Sequence, residues 1–216
     1  MALAVAACAP GDSARPAAVY HLNTTYRDQF VSPDPSPAGF MECHGFGCAE
    51  TSRAELDDGD WRRIAALFDP PASDPAAERR QIAQAVALTQ LLVGVQTGTA
   101  AHQWTHDHMM IRPNFGDPTQ LDCIDEAVNT WTYLTLMEKG GLFRFHRVAQ
   151  LSYAGSMLDL NQRNTAVLAE NGGGYFAVDP SLVDVGVPPP ILPLATWKGA
   201  WPPRLQAGDA VVQSRR

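Results

Sequence analysis

The sequence predicts an α+β fold, with helices packed on a small antiparallel sheet. Apolar residues recur at helical spacing in three stretches between residues 60 and 138, and from residue 142 the period drops to two. The order is one-directional, helices first and strands after, which separates this class from alternating α/β folds.

Taken in order, Asp60 to Phe68 puts Trp61, Ile64, Leu67 and Phe68 on one face and stops before Asp69-Pro70-Pro71. A longer helix has Asp74 as N-cap and Pro75 at its first position. It runs through Ile82, Ala85, Val86, Thr89, Leu92 and Val93 towards Gly94 and a Thr97-Gly98-Thr99 loop, with Glu78, Arg79 and Arg80 early and outside the stripe. A turn-rich stretch (Asn114, Gly116, Asp117, Pro118) then leads into a third helix from Cys123 to Glu138. Ile124, Ala127, Val128, Trp131 and Leu134 form its apolar face, and Gly140-Gly141 stops it. Leu142 to Ala149 alternates as a half-buried strand, and Arg163 to Ala169 reads as a second. Asn171 to Gly174 is a turn, and Tyr175 to Asp179 is a third strand halted by Pro180. The proline-rich remainder, with Trp197 and Trp201, is expected to wrap irregularly back onto the body. One domain over residues 41–203 accounts for these elements, with residues 9–40 as a tether or extended arm and 204–216 as a flexible tail.

With 216 residues, 45% of them hydrophobic, the chain can bury a sizeable core. A formal charge of -7 argues against a nucleic-acid partner. No apolar run is long enough to span a bilayer. The first eight residues resemble the end of a bacterial lipoprotein signal peptide, with Val5-Ala6-Ala7-Cys8 as lipobox. The resemblance implies lipidation at Cys8 and placement in the bacterial cell envelope, on the periplasmic side, with membrane contact only through that anchor. Seven residues before the cysteine and no positive segment mean that a full signal needs upstream codons; the alternative is an Ala-rich cytosolic tail.

Cys43-His-Gly-Phe-Gly-Cys48 closes a short loop whose glycines permit the turn of a tight disulfide; half a zinc site and two buried thiols are the alternatives. Cys123 is then the odd cysteine. His102, His106 and His108 have ligand-like spacing but lack the acidic base of a His-Glu-x-x-His motif, and the surrounding turn residues favour a solvated loop. No metal and no cofactor enters the reading.

Cys123 falls on the first turn of a helix. Unpaired N–H groups and the helix dipole there favour a thiolate, whereas burial in an apolar setting makes a cysteine inert. A cysteine opening a helix, followed by three antiparallel strands with an aspartate closing the third, resembles the transglutaminase-like superfamily, in particular bacterial transglutaminase-like cysteine peptidases. Leu121-Asp-Cys-Ile-Asp-Glu126 is similar to their nucleophile motif and Ala177-Val-Asp-Pro-Ser181 to the segment carrying their aspartate, a likeness over about residues 110–182. It implies a papain/transglutaminase-like core and a thiol hydrolase or acyl transferase acting on peptide or amide bonds of a peptide or protein substrate. Cys123 would be the nucleophile and Asp179 the group orienting a histidine.

The chain departs from that pattern where the histidine belongs. The start of the second strand reads Arg163-Asn164-Thr165, residues suited to holding a substrate or a thiolate but not to moving its proton. His146 is the strand histidine left to act, unless a different strand register or a histidine from the 102–108 loop swung over Cys123 completes the triad. Pairing near Leu168 would displace His146 by on the order of 10 Å, beyond hydrogen-bond reach. A non-catalytic envelope lipoprotein of the same fold, used as a binding module, is therefore the alternative function, and a metal-dependent hydrolase using the histidine cluster is a third.

Overall fold

The computed structural model describes residues 34–101, 117–155 and 163–199. They form a mixed α/β fold of four helices and two small antiparallel sheets. Strands β1 (Phe40–His44) and β2 (Glu50–Ala54) make a hairpin with Phe40 opposite Ala54 and His44 opposite Glu50. That hairpin is absent from the sequence reading, which placed Phe40 at the end of a tether. Phe40 is 1% exposed and packs edge-on against Tyr133, so the folded body begins before residue 41.

Helix α1 (Asp58–Ala66) starts two residues earlier than its apolar pattern, because the Asp57 carboxylate accepts from the Asp60 amide and sets the N-cap. Helix α2 (Pro75–Thr97) begins as the sequence indicates, with Asp74 accepting from the Ala77 amide at 2.7 Å. It continues past Gly94 and ends at Gly98, whose φ of +83° gives the left-handed cap. Gly94 serves space instead: a Cβ there would stand 2.8 Å from the Ala100 amide as the chain turns back.

Helix α3 (Cys123–Lys139) lies across the larger sheet. That sheet is ordered β3 (His146–Val148), β5 (Arg163–Glu170), β6 (Tyr175–Val178), β7 (Ile191–Pro193), and β4 (Ser152–Ala154) also pairs with β5. Ala166, Leu168 and Val178 point into the main core with Val128 and Leu134 of α3. Val167, Ala177 and Leu192 point the other way, under helix α4 (Leu194–Trp197) and the fully buried Trp197. Strand β5 is thus covered on both faces, and its seven residues from Arg163 to Ala169 are all buried.

The strand expected over Leu142–Ala149 shrinks to three residues because of a residue distant in sequence. Buried Glu78 of α2 accepts the amides of Arg144, Phe145 and His146 at 2.7–3.1 Å, so a side chain takes the donors that a neighbouring strand would otherwise use. Among the described residues no helix is long and apolar enough to cross a membrane.

Candidate functional site

Cys123 opens α3, and its surroundings come from the hairpin tip, β5 and the end of β6. Asp122 is the N-cap: its Oδ1 accepts from the amides of Ile124 (3.0 Å) and Asp125 (2.9 Å), while Asp125 Oδ2 accepts from the Asp122 amide (3.0 Å). This capping box takes the Ile124 and Asp125 amides, two of the helix-start donors on which the expectation of a thiolate rested.

The same two carboxylates hold the disulfide loop, for Cys43 and Cys48 are bonded to each other. Asp125 accepts from the Cys48 amide at 2.6 Å and the Phe46 amide at 3.2 Å, and the Gly47 amide reaches Asp122. Gly45, Phe46, Gly47 and Cys48 all have positive φ, between 60° and 79°, which turns successive amides into one concavity around the acids. A turn further along α3, Asn129 donates to the Cys43 carbonyl and accepts from the Cys43 amide, both at 2.8 Å. Asp125 is buried and Asp122 half-buried; loss of solvation raises both above the ordinary carboxylate range, and the Asp122 charge adds to the shift of Asp125.

Cys123 as a residue is only half-buried, yet its sulfur sits in densely packed protein. The thiol is pushed up to about 12, first by loss of solvation and then by the Asp122 charge; Asn164 opposes the shift and Asp179 adds to it. At neutral pH it is a thiol and not a thiolate. The Asn164 amide Nδ2 donates to the sulfur at 3.6 Å. Side chains alternate along β5, so Asn164 faces α3 with Ala166 and Leu168, while Arg163 faces Trp197 with Val167. Of the residues expected to meet the sulfur from this strand, the amide does so directly.

Arg163 is 2% exposed, its guanidinium donates to the carbonyls of Trp197 and Gly199, and it stacks 4.8 Å above the Trp197 ring. Burial pulls it below its ordinary value, opposed by the charges of Asp179 and Cys123. Asp179, 1% exposed, caps the turn Pro180–Leu182. Its Oδ1 accepts from the Ser181 hydroxyl (2.6 Å) and amide (3.2 Å), and its Oδ2 from Trp197 Nε1 (2.6 Å). Burial raises Asp179 as well. Both oxygens already carry partners that differ from a histidine.

His146 is placed at the far end of β5. It pairs with Glu170, two positions beyond Leu168, the residue expected opposite it. Its Nδ1 lies 2.9 Å from Glu78 Oε1 and its Nε2 3.3 Å from Arg79 Nη1. Six residues along β5 separate Asn164 from Glu170, about 20 Å at strand spacing, so His146 is out of reach of the sulfur. His44, the other described histidine, sits between the Pro118 carbonyl (2.7 Å) and the Ser52 hydroxyl (2.8 Å). Cys8, His102, His106 and His108 lie outside the described residues. Among the described residues no cluster of three or more His, Cys, Asp or Glu side chains is placed to hold a metal.

Sequence reasoning missed several residues here. Glu126, 4% exposed, accepts from Gln90 at 2.9 Å and is raised to about 8 by burial and then by Asp179. Glu42, 2% exposed, accepts from the Tyr133 hydroxyl at 2.6 Å and is raised well above its usual range by burial. Ser181 was readable, since Asp-Pro-Ser is a helix-start signature. Trp197 was not, because its bond to Asp179 spans 18 residues. Comparison with family models, curated proteins and solved structures gave no match.

Proposed function

We propose that this chain is an exported, lipid-anchored domain of transglutaminase-like fold whose cysteine site no longer turns over, and that it serves the bacterial envelope as a binding module for a peptide or protein. The observation that carries the reading is the Asn164 amide donating to the Cys123 sulfur, at the place where the relay of that family needs a base. An amide does not accept the thiol proton, and a thiol near 12 does not ionise unaided at neutral pH. The commitment of both Asp179 oxygens to Ser181 and Trp197 supports it further. The order of elements supports the family resemblance: a cysteine starting a helix, then antiparallel strands with an aspartate just past β6. The Cys43–Cys48 bridge supports export into an oxidising compartment, and Val5-Ala6-Ala7-Cys8 supports the anchor.

The test is a thiol-directed electrophile applied to the native full-length chain at pH 7, beside an assay with amide and ester substrates. Slow labelling of Cys123 and no hydrolysis are expected, together with a gain of labelling rate in Asn164→His. Rapid labelling of the natural protein, with hydrolysis abolished in Cys123→Ser, would overturn the proposal and restore the thiol-hydrolase reading.

A further inference from the structure

The disulfide loop is more than a staple on a hairpin. Its three amides, from Phe46, Gly47 and Cys48, end on the two carboxylates that flank Cys123 in sequence and cap its helix. Asn129 clamps the backbone of Cys43 from the next turn. Within the loop, Phe46 and Cys48 hold left-handed backbone with φ of 74° and 60°. Such residues are strained and persist only where surrounding structure over-determines them. Here two constraints do so: the bond between the sulfurs at one side and the carboxylates at the other.

We propose that the Cys43–Cys48 bond is a redox-sensitive latch on Cys123: closed, it keeps the thiol packed beneath the capped start of α3, and opened by a dithiol it releases that start and unmasks the thiol. The chemistry is thiol–disulfide exchange. One thiolate of the dithiol attacks a sulfur of the bridge, and its second thiol resolves the mixed disulfide. The reductant departs as its own disulfide, and two electrons and two protons remain on Cys43 and Cys48. Once the loop relaxes out of its left-handed turn, its amides leave Asp125 and Asp122. Two adjacent carboxyl groups stripped of those donors are left as unsatisfied polar groups and draw in water. Hydration of the first turn of α3 removes the main cause of the raised thiol, its burial. Both cysteines are fully buried, so the dithiol reaches a sulfur only when the half-buried tip, Gly45, Phe46 and Gly47, opens away from it.

The inference rests on the reading that Cys123 is silent in the oxidised protein, and the experiment separates the two. Iodoacetamide labelling of the full chain at pH 7.5, resolved by peptide mass spectrometry, is compared before and after reduction with dithiothreitol and anaerobic desalting. Each unit by which the thiol falls raises its thiolate fraction tenfold, so at least about a tenfold faster labelling of Cys123 is expected on reduction. A Cys43→Ser, Cys48→Ser variant should label at the reduced rate while keeping a cooperative thermal transition. Asp125→Ala, with the disulfide intact, cuts the same latch from the other side and should also accelerate labelling, whereas Glu170→Gln at the far end of β5 should leave the rate unchanged. Equal rates in oxidised and reduced folded protein overturn the latch, as does an acceleration no greater than the unfolded fraction accounts for. Fast labelling of the oxidised form with substrate hydrolysis would instead sink the proposed function, and leave the ratio of the two rates to decide the latch.

Discussion

The two ends of β5 solve the same problem, burying charge, in opposite ways. At the Glu170 end, Glu78 accepts three backbone amides and faces the His146 ring, while Arg79 donates to Glu170 at 2.6 Å and stacks 4.0 Å over Phe176. Each carboxylate there has cationic or donor partners, as a structural anchor requires. At the Arg163 end, Asp122 and Asp179 act on the thiol, with Asp125 and Glu126 beside Asp122 on the first turn of α3. All four accept hydrogen bonds, yet loss of solvation raises each of them, and Arg163 is the described cation whose charge opposes Asp179. The two ends thus differ in how their acids are held: by close donors and a cation at one, and largely without solvent at the other.

Removing the anchor should produce the largest effect. Glu78→Ala strands three amides and the His146 ring in the interior, and a loss of about 3–5 kcal/mol in chemical denaturation is expected. A loss below 1 kcal/mol would erase the contrast between the two ends.

The opposite end should declare itself through pH. Glu126 is raised from 4.5 to about 8, so its neutral form favours the fold. That contribution is fully present below about pH 4.5 and is lost as pH rises through about 8. Stability followed from pH 5 to 9 should therefore fall, and Glu126→Gln should flatten the decline by on the order of 3 kcal/mol. An unchanged slope in that variant would remove Glu126 from the cluster.

Smaller effects refine the picture. Trp197→Phe deletes the donor to Asp179 Oδ2 while keeping an aromatic under Arg163, and about 2 kcal/mol of destabilisation is expected by thermal melting. Asn164→Ala removes a single long bond to sulfur. It should cost about 1 kcal/mol and leave Cys123 labelling within a few-fold of the natural rate, since burial dominates the thiol.

How much of this was legible depends on the range of the interaction responsible. The start of α2 was written in Asp74-Pro75, and the span of α3 in its apolar spacing, because capping and periodicity are local. The β5–β6 register was legible in outline: a turn near Gly172 puts residues around 163–165 opposite Asp179, and the observed pairing of Ala166 with Val178 brings Thr165 there. The β1–β2 hairpin was hidden because its tip is a cysteine-closed, left-handed loop held by aspartates 77 residues away. The shortened β3 was hidden because Glu78, which lies outside the apolar stripe, reaches across 66 residues to take the amides at its start. At the site, the apolar-stripe argument put Cys123 on the first turn but could not say that Asp122 would already own two of the free amides.

One consequence of the two-sided burial of β5 concerns parity. Apolar residues occupy both faces, so hydrophobicity alone does not choose which face each residue takes. That choice falls to polar fixtures, such as the Thr165 hydroxyl donating to the Val178 carbonyl at 2.9 Å. Sliding the strand by a single position would carry the guanidinium of Arg163 towards the sulfur and withdraw the amide. Lengthening the Asn171–Gly174 turn by one residue is thus a chemical edit as much as a geometric one: it would exchange a neutral neighbour of the thiol for a cation.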